Sequence, residues 1–134
     1  EYFASKMKNE DILSSPKLVI DFVKAKLSGL SNEVFMVIYL DVQNKVITTE
    51  IISEGTIDKA VIFPRRIIES CIKNHSTDII IVHNHPSGVI APSQEDEFIT
   101  VQIKEAAQTM DIKLLDHIII SKEGYFSFNE SGLM

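Results

Sequence analysis

Residues 78–96 read Asp78-Ile-Ile-Ile-Val82-His83-Asn84-His85-Pro86-Ser87-Gly88-Val-Ile-Ala-Pro92-Ser93-Gln-Glu-Asp96. Asp78 to Val82 is a short, very apolar run and predicts a strand. His83 to Pro92 predicts a loop shaped by Pro86, Gly88 and Pro92. Ser93 predicts the start of a helix that runs to about Met110. The stretch is therefore strand, loop, helix. Its polar side chains collect just beyond the carboxyl end of a strand, where α/β sheets hold their ligand sites.

The rest of the chain extends the same architecture outward. Ser15 followed by Pro16 predicts a helix start, an N-cap followed by Pro at the first helical position. Leu18, Val19, Phe22, Val23 and Leu27 fall at helical spacing, and Gly29 stops the helix. Glu33 to Val42 is nearly continuous in apolar residues, the pattern of a strand buried on both faces. Asp41 to Lys45 carries turn residues, and Val46 to Ser53 returns as an antiparallel strand broken by Gly55. Pro64 opens a second helix with Ile67, Ile68, Cys71 and Ile72 on one face. Beyond Met110 come a strand at Leu114 to Ile120, a turn at Lys122 to Gly124, and a last strand at Tyr125 to Phe128. The order α β β α β α β β predicts an α/β domain: a mixed, mostly antiparallel sheet flanked by helices. Residues 1–15 form a polar lead-in prone to fraying, and residues 16–134 form the domain.

Composition sets the outer limits. At 134 residues the chain is one domain, large enough to bury a core without a disulfide or a structural metal. Apolar residues make up 45% and charged residues 24%, which excludes wholesale disorder. The longest unbroken apolar run, Val34 to Leu40, is far shorter than the ~20 residues of a spanning helix. The single cysteine, Cys71, cannot form an internal disulfide, so the chain is expected to be a reduced, cytoplasmic protein. Thirteen Lys and Arg against nineteen Asp and Glu give a net charge of −6 and a pI near 5.1. Nucleic-acid binding rests on phosphate neutralisation by Lys and Arg, so direct binding by this chain is disfavoured. The first residue is Glu1, and no signal core precedes the domain. The expectation is a piece of a longer protein.

His83 and His85 are two apart, so in an extended chain both imidazoles point the same way. Asp96 enters the first turn of the following helix. Two imidazoles and a carboxylate on adjacent rigid elements make a three-ligand site of the kind catalytic zinc uses, with one position left for water. Taken singly, each residue has a structural use. Ser93 with Asp96 fits a capping box, and His83 fits a hydrogen-bonded core histidine. Those uses do not explain two histidines in register beside a Pro-Gly loop with an acid converging on them. Ser93 can cap the helix and still turn its hydroxyl to the site.

His83, one residue, His85, seven residues, Ser93, two residues, Asp96 matches the JAMM (MPN+) metalloprotease signature letter for letter. The surroundings resemble one branch of it, the RadC family. His-Asn-His-Pro-Ser-Gly at 83–88, Pro92-Ser93 with Asp96, Thr100, Leu115-Asp116-His117 and the strand Glu33…Tyr39-Leu40-Asp41 all look like that family. So do Gly55-Thr56 and the closing Phe128-x-Glu130-x-Gly132. The resemblance runs from about Pro16 to the end. It implies an MPN/JAMM fold, similar to the cytidine-deaminase-like architecture, with His83, His85 and Asp96 as ligands of Zn²⁺. It implies that Ser93 hydrogen-bonds the substrate carbonyl oxygen or the bound water, and that Glu33 is the general acid/base. Glu54 is the fallback for that last role and Asp58 a poorer one. The implied activity is hydrolysis of a peptide or isopeptide bond in a peptide or protein substrate.

Other residues have structural readings. His75 sits at a helix end near the carboxyl-end carbonyls. His117, beside Asp116, is a hydrogen-bonding strand histidine before it is a fourth ligand, with a role behind the metal as the further reading. Cys71 is a small core residue. Arg65-Arg66 is a solvated helix start. The chain departs from the family at Arg66, where Glu is usual, and at Val89-Ile90, where an acid and Pro are usual. The second change touches the mouth of the site and therefore substrate preference. The helical N-terminal part common in the family, which could carry DNA contacts, is not in this chain.

The competing class is a non-enzymatic accessory module in DNA repair or recombination that keeps a metal site. An HNH nuclease is excluded, because its three residues are spread over a ββα unit and its metal favours more carboxylates. A deaminase is disfavoured by the missing Pro-Cys-x-x-Cys half of its signature. Unpaired sheet edges could take a peptide strand or a second copy of the chain as a homodimer.

Overall fold

The computed structural model describes residues 11–12, 16–55 and 64–134. The elements are α1 (Pro16–Leu27), β1 (Glu33–Leu40), β2 (Val46–Gly55), α2 (Pro64–Lys73), β3 (Asp78–Asn84), α3 (Gln94–Thr109), β4 (Lys113–Ser121) and β5 (Gly124–Ser127). Their order matches the sequence reading. The proposed cap at Ser15 and most of the lead-in lie outside the described residues.

The strands form one open sheet in the order β2-β1-β3-β4-β5. Neighbours pair antiparallel except β3 and β4, which run parallel across the α3 crossover. β1 and β3 are interior, which explains their unbroken apolar sequences: both faces of each are covered. Val34, Met36, Ile38 and Leu40 pack with Val19, Phe22, Val23 and Leu27 of α1. Phe35, Val37 and Tyr39 face the other way, onto Ile67 and Cys71 of α2 and Ile99, Ile103 and Ala107 of α3. Each fully buried apolar side chain of this size contributes roughly 1.5–3 kcal/mol. With fourteen buried residues in one cluster and twelve in the other, the fold has its own core on both sides of the sheet.

Two strand ends and one buried face differ from the sequence reading for a local reason, and other element ends shift by one or two residues. β3 continues through His83 and Asn84, because Phe35 on one side and Ile119 and Ile120 on the other still supply ladder partners. A polar side chain does not end a ladder whose backbone is paired on both edges. β1 stops at Leu40, because the Asp41 carboxylate accepts from the N–H groups of Gln43 and Lys45 and closes the turn. Ile72 is 57% exposed rather than on the buried face of α2. That helix rests on the sheet through the narrow line of Ile67 and Cys71, and Ile72 lies more than a quarter of a turn past it. Among the described residues no helix is long and apolar enough to cross a membrane.

Candidate metal centre

Strand alternation places His83 on the α2–α3 face with Ile79 and Ile81. The side chain is fully buried, and its ring stacks on Phe35 at 5.9 Å with an interplanar angle of 13°. His85 is one step past the strand, held extended by its N–H bond to the Ile120 carbonyl at 2.9 Å. The chain then turns. The Gly88 N–H donates to the His85 carbonyl, and Gly88 adopts φ +94°, a conformation that favours glycine. The turn brings the Val89 carbonyl to 2.7 Å from His85 Nδ1. A carbonyl only accepts, so Nδ1 carries the hydrogen and Nε2 is the nitrogen turned to the site.

Asp96 arrives from the opposite side, on the first turn of α3. The capping box foreseen in the sequence is present: the Ser93 N–H donates to Asp96 Oδ2 at 2.8 Å, and the Asp96 N–H donates to Ser93 Oγ at 3.0 Å. The same carboxylate meets both imidazoles. Its oxygens lie 3.2 Å from His83 Nε2 and 3.3 Å from His85 Nε2. The two Nε2 atoms are 2.9 Å apart, and Glu33 Oε1 is 3.9 Å from His83 Nε2. Capping and convergence are thus both properties of Asp96.

Glu33, His83 and His85 form a group that can hold a metal ion, their donor atoms all within 4.8 Å of one another. Ligand bonds of about 2.0–2.1 Å in a tetrahedron imply donor separations of about 3.3 Å. The His83, His85 and Asp96 separations of 2.9, 3.2 and 3.3 Å are close to that. Glu33, at 3.9 Å, stands slightly outside. Two imidazole nitrogens with carboxylate oxygen suit a borderline divalent cation.

The electrostatics agree. Burial alone pushes the Asp96 carboxyl up, but hydrogen bonds from His83 and His85 and the charge of His83 hold it well below the usual carboxylate range. His85 is raised, chiefly by its hydrogen bond to Asp96 and against the effect of burial. A proton on these donors and a metal ion compete for the same lone pairs.

Glu33, His85 and Ser93 line one open cleft of about 520 Å³, together with Val89 and Glu95. Ser93 is exposed there, its Oγ accepting from Asp96 and its own hydrogen directed by nothing else in the capping box. Glu54 does not share the cleft's face. It pairs with Val34, whose side chain enters the α1 core, while Phe35 pairs with His83. Asp58 lies outside the described residues.

His117 is not a further donor to the cleft. It lies behind His83, its Nε2 2.9 Å from His83 Nδ1, and stacks on Phe128 at 4.5 Å. His75 is exposed past α2, at φ +56°. Arg65 pairs with Glu69 in solvent, as a helix-start residue should, but Arg66 reaches over to donate to the Ile52 carbonyl and ties α2 to β2.

Sequence reasoning missed Asn84. It is 1% exposed. Its Oδ1 accepts from the Val34 N–H, and its Nδ2 donates to the Asn32 carbonyl. The one available signal was an amide placed in the interior of a His-x-His pair, where only the flanking residues drew notice.

Comparison with known proteins follows the same line. The sequence profile described as RadC-like JAB domain matches residues 13–133. UPF0758 protein PSHAa2643 of Pseudoalteromonas translucida (strain TAC 125) is 43% identical over 133 residues, covering 99% of this chain and 59% of that protein. The chain therefore spans under two thirds of the length of that relative.

Proposed function

The chain belongs to the RadC-like JAB domain family, and from that membership we propose that it is a zinc-dependent hydrolase of peptide or isopeptide bonds. The observation that carries the reading is the convergence of His83 Nε2, His85 Nε2 and the Asp96 carboxylate, within 3.3 Å of one another, beside an open cleft. Zinc held there would supply Lewis acidity, bringing the pKa of a water toward about 7 and polarising a carbonyl.

The residues divide the work by position. His83, His85 and Asp96 hold the metal. Asp96 is preferred over Glu33 as third ligand because it approaches both imidazoles, at 3.2 and 3.3 Å, whereas Glu33 comes within 3.9 Å of one. Glu33 keeps a quarter of its side chain exposed on the cleft side. It takes the proton of the attacking water and returns it to the leaving amine. Ser93 donates its hydroxyl hydrogen to the substrate carbonyl oxygen, where charge develops. The acidic balance of thirteen basic against nineteen acidic residues supports a peptide or protein substrate over a nucleic acid.

The test is metal content after zinc loading and exhaustive dialysis, with His83→Ala beside the wild type. Roughly one zinc per chain, lost in the variant, is expected for a single three-ligand site. Absence of zinc from the wild type would sink the reading.

A further inference from the structure

We propose that Thr100 and His117 form a relay behind His83 that fixes which of its ring nitrogens faces the metal site. The inference rests on the metal reading above and concerns how the site is built.

The hydrogen-bond directions follow from one another. Thr100 Oγ1 lies 2.6 Å from the Asp96 carbonyl and 2.6 Å from His117 Nδ1. The carbonyl only accepts, and the hydroxyl has one hydrogen, so that hydrogen goes to Asp96, the ordinary back-bond of a helical Thr. His117 Nδ1 must then be the donor to Thr100. A neutral imidazole carries one N–H, so His117 Nε2 is an acceptor. It lies 2.9 Å from His83 Nδ1, which must donate. His83 Nε2 is then the nitrogen turned to Asp96 and His85, where a proton or a metal ion can join it to them. The relay runs from the backbone carbonyl of Asp96 through Thr100 and His117 to His83 Nδ1, tying β3, β4 and α3 into one unit.

The fold makes a specific provision for this. In the β3–β4 ladder Ile79 pairs with Leu114 but Ile80 pairs with Asp116, so β4 carries an extra residue at Leu115. Simple alternation from Leu114 would turn His117 to the α1 face. The bulge re-aims it to the face of His83. His117 and Thr100 are 0% and 2% exposed, so water does not compete for their bonds. Phe128 on His117 and Phe35 on His83 hold both rings in plane. Partners of this kind set the tautomer and orientation of a ligating histidine. His117 is thus a positioning residue.

His117→Phe keeps the ring and its stack on Phe128 and removes both nitrogens. It should weaken zinc binding about 10–100-fold in competition with a chromophoric chelator. His117→Gln, whose Oε1 can accept where Nε2 did, should recover part of the loss. Thr100→Val tests the same relay if His117→Phe does not fold, and should weaken zinc binding where Thr100→Ser holds it. Long-range ¹H–¹⁵N spectra of the metal-free chain should show His83 and His117 both protonated on Nδ1. An Nε2–H tautomer at either residue would overturn the relay, as would wild-type zinc affinity in both His117→Phe and Thr100→Val. If the wild type takes up no zinc, the metal reading fails, and the tautomers alone decide the relay.

Discussion

Asn84 holds the backbone on both sides of Glu33. Its Oδ1 accepts the Val34 N–H at 2.6 Å and its Nδ2 donates to the Asn32 carbonyl at 2.9 Å. The middle residue of His83-Asn84-His85 thus fixes where Glu33 stands, while its neighbours face the candidate metal site. Asn84→Ala should leave the buried Val34 N–H without its acceptor and cost about 1–3 kcal/mol in denaturant unfolding. Turnover should fall much more than zinc affinity. Equal losses in both would mean that Asn84 acts on the ligands and not on Glu33.

Asp96 has two uses, and a conservative change separates them. Asp96→Asn can still accept the Ser93 N–H, so helix α3 should remain capped and stability should change by less than the ~1 kcal/mol of a lost cap. Zinc should be lost, because the neutral amide is a poor ligand. A variant that unfolds would show that the metal is structural.

Glu33→Gln should keep zinc and lose turnover by about 10²–10⁴-fold, the usual contribution of general acid/base catalysis. The readout is single-turnover cleavage of a peptide or isopeptide found by screening. Retained activity would return the role to another acid.

Cys71 offers a test of the core away from the site. Burial pushes its thiol up from 9.0 to about 11. Between those values the unfolded chain has released a proton that the folded chain keeps, so rising pH draws the equilibrium toward unfolding. The stabilisation is whole below pH 9 and should be lost toward pH 11, by up to about 3 kcal/mol. Burial shifts the Tyr39 hydroxyl upward as well, with an effect that begins at higher pH. Urea unfolding between pH 8.5 and 10, a window set by the Cys71 shift, should therefore show a slope that Cys71→Ala flattens. An unchanged slope would remove Cys71 as its cause.

The parts of this molecule legible in the sequence are those set by local rules. Ser93 and Asp96 announce the capping box because its two bonds join residues three apart. The apolar run from Val34 to Leu40 announces an interior strand. What stayed hidden depends on pairing between distant segments. Asn84 meets Val34 across fifty residues, and no spacing rule links them. The face of His117 turns on one extra residue in β4, which exists only relative to its partner strand. Nothing in the sequence separates the faces of Glu33 and Glu54; the β1–β2 register, which sets Glu54 beside Val34, does.

The position of His83 within β3 also has a kinetic consequence. That strand is paired on both edges and covered on both faces, so its amides should exchange with solvent only when the whole domain unfolds. His85 lies one residue past the strand on a short turn, the kind of segment expected to open before a buried strand does. An ion seated between them would leave by releasing His85 first, with His83 still in place. Its residence time should then follow the opening rate of residues 85–92, and a change in that turn should alter exchange of the metal without altering the melting of the fold.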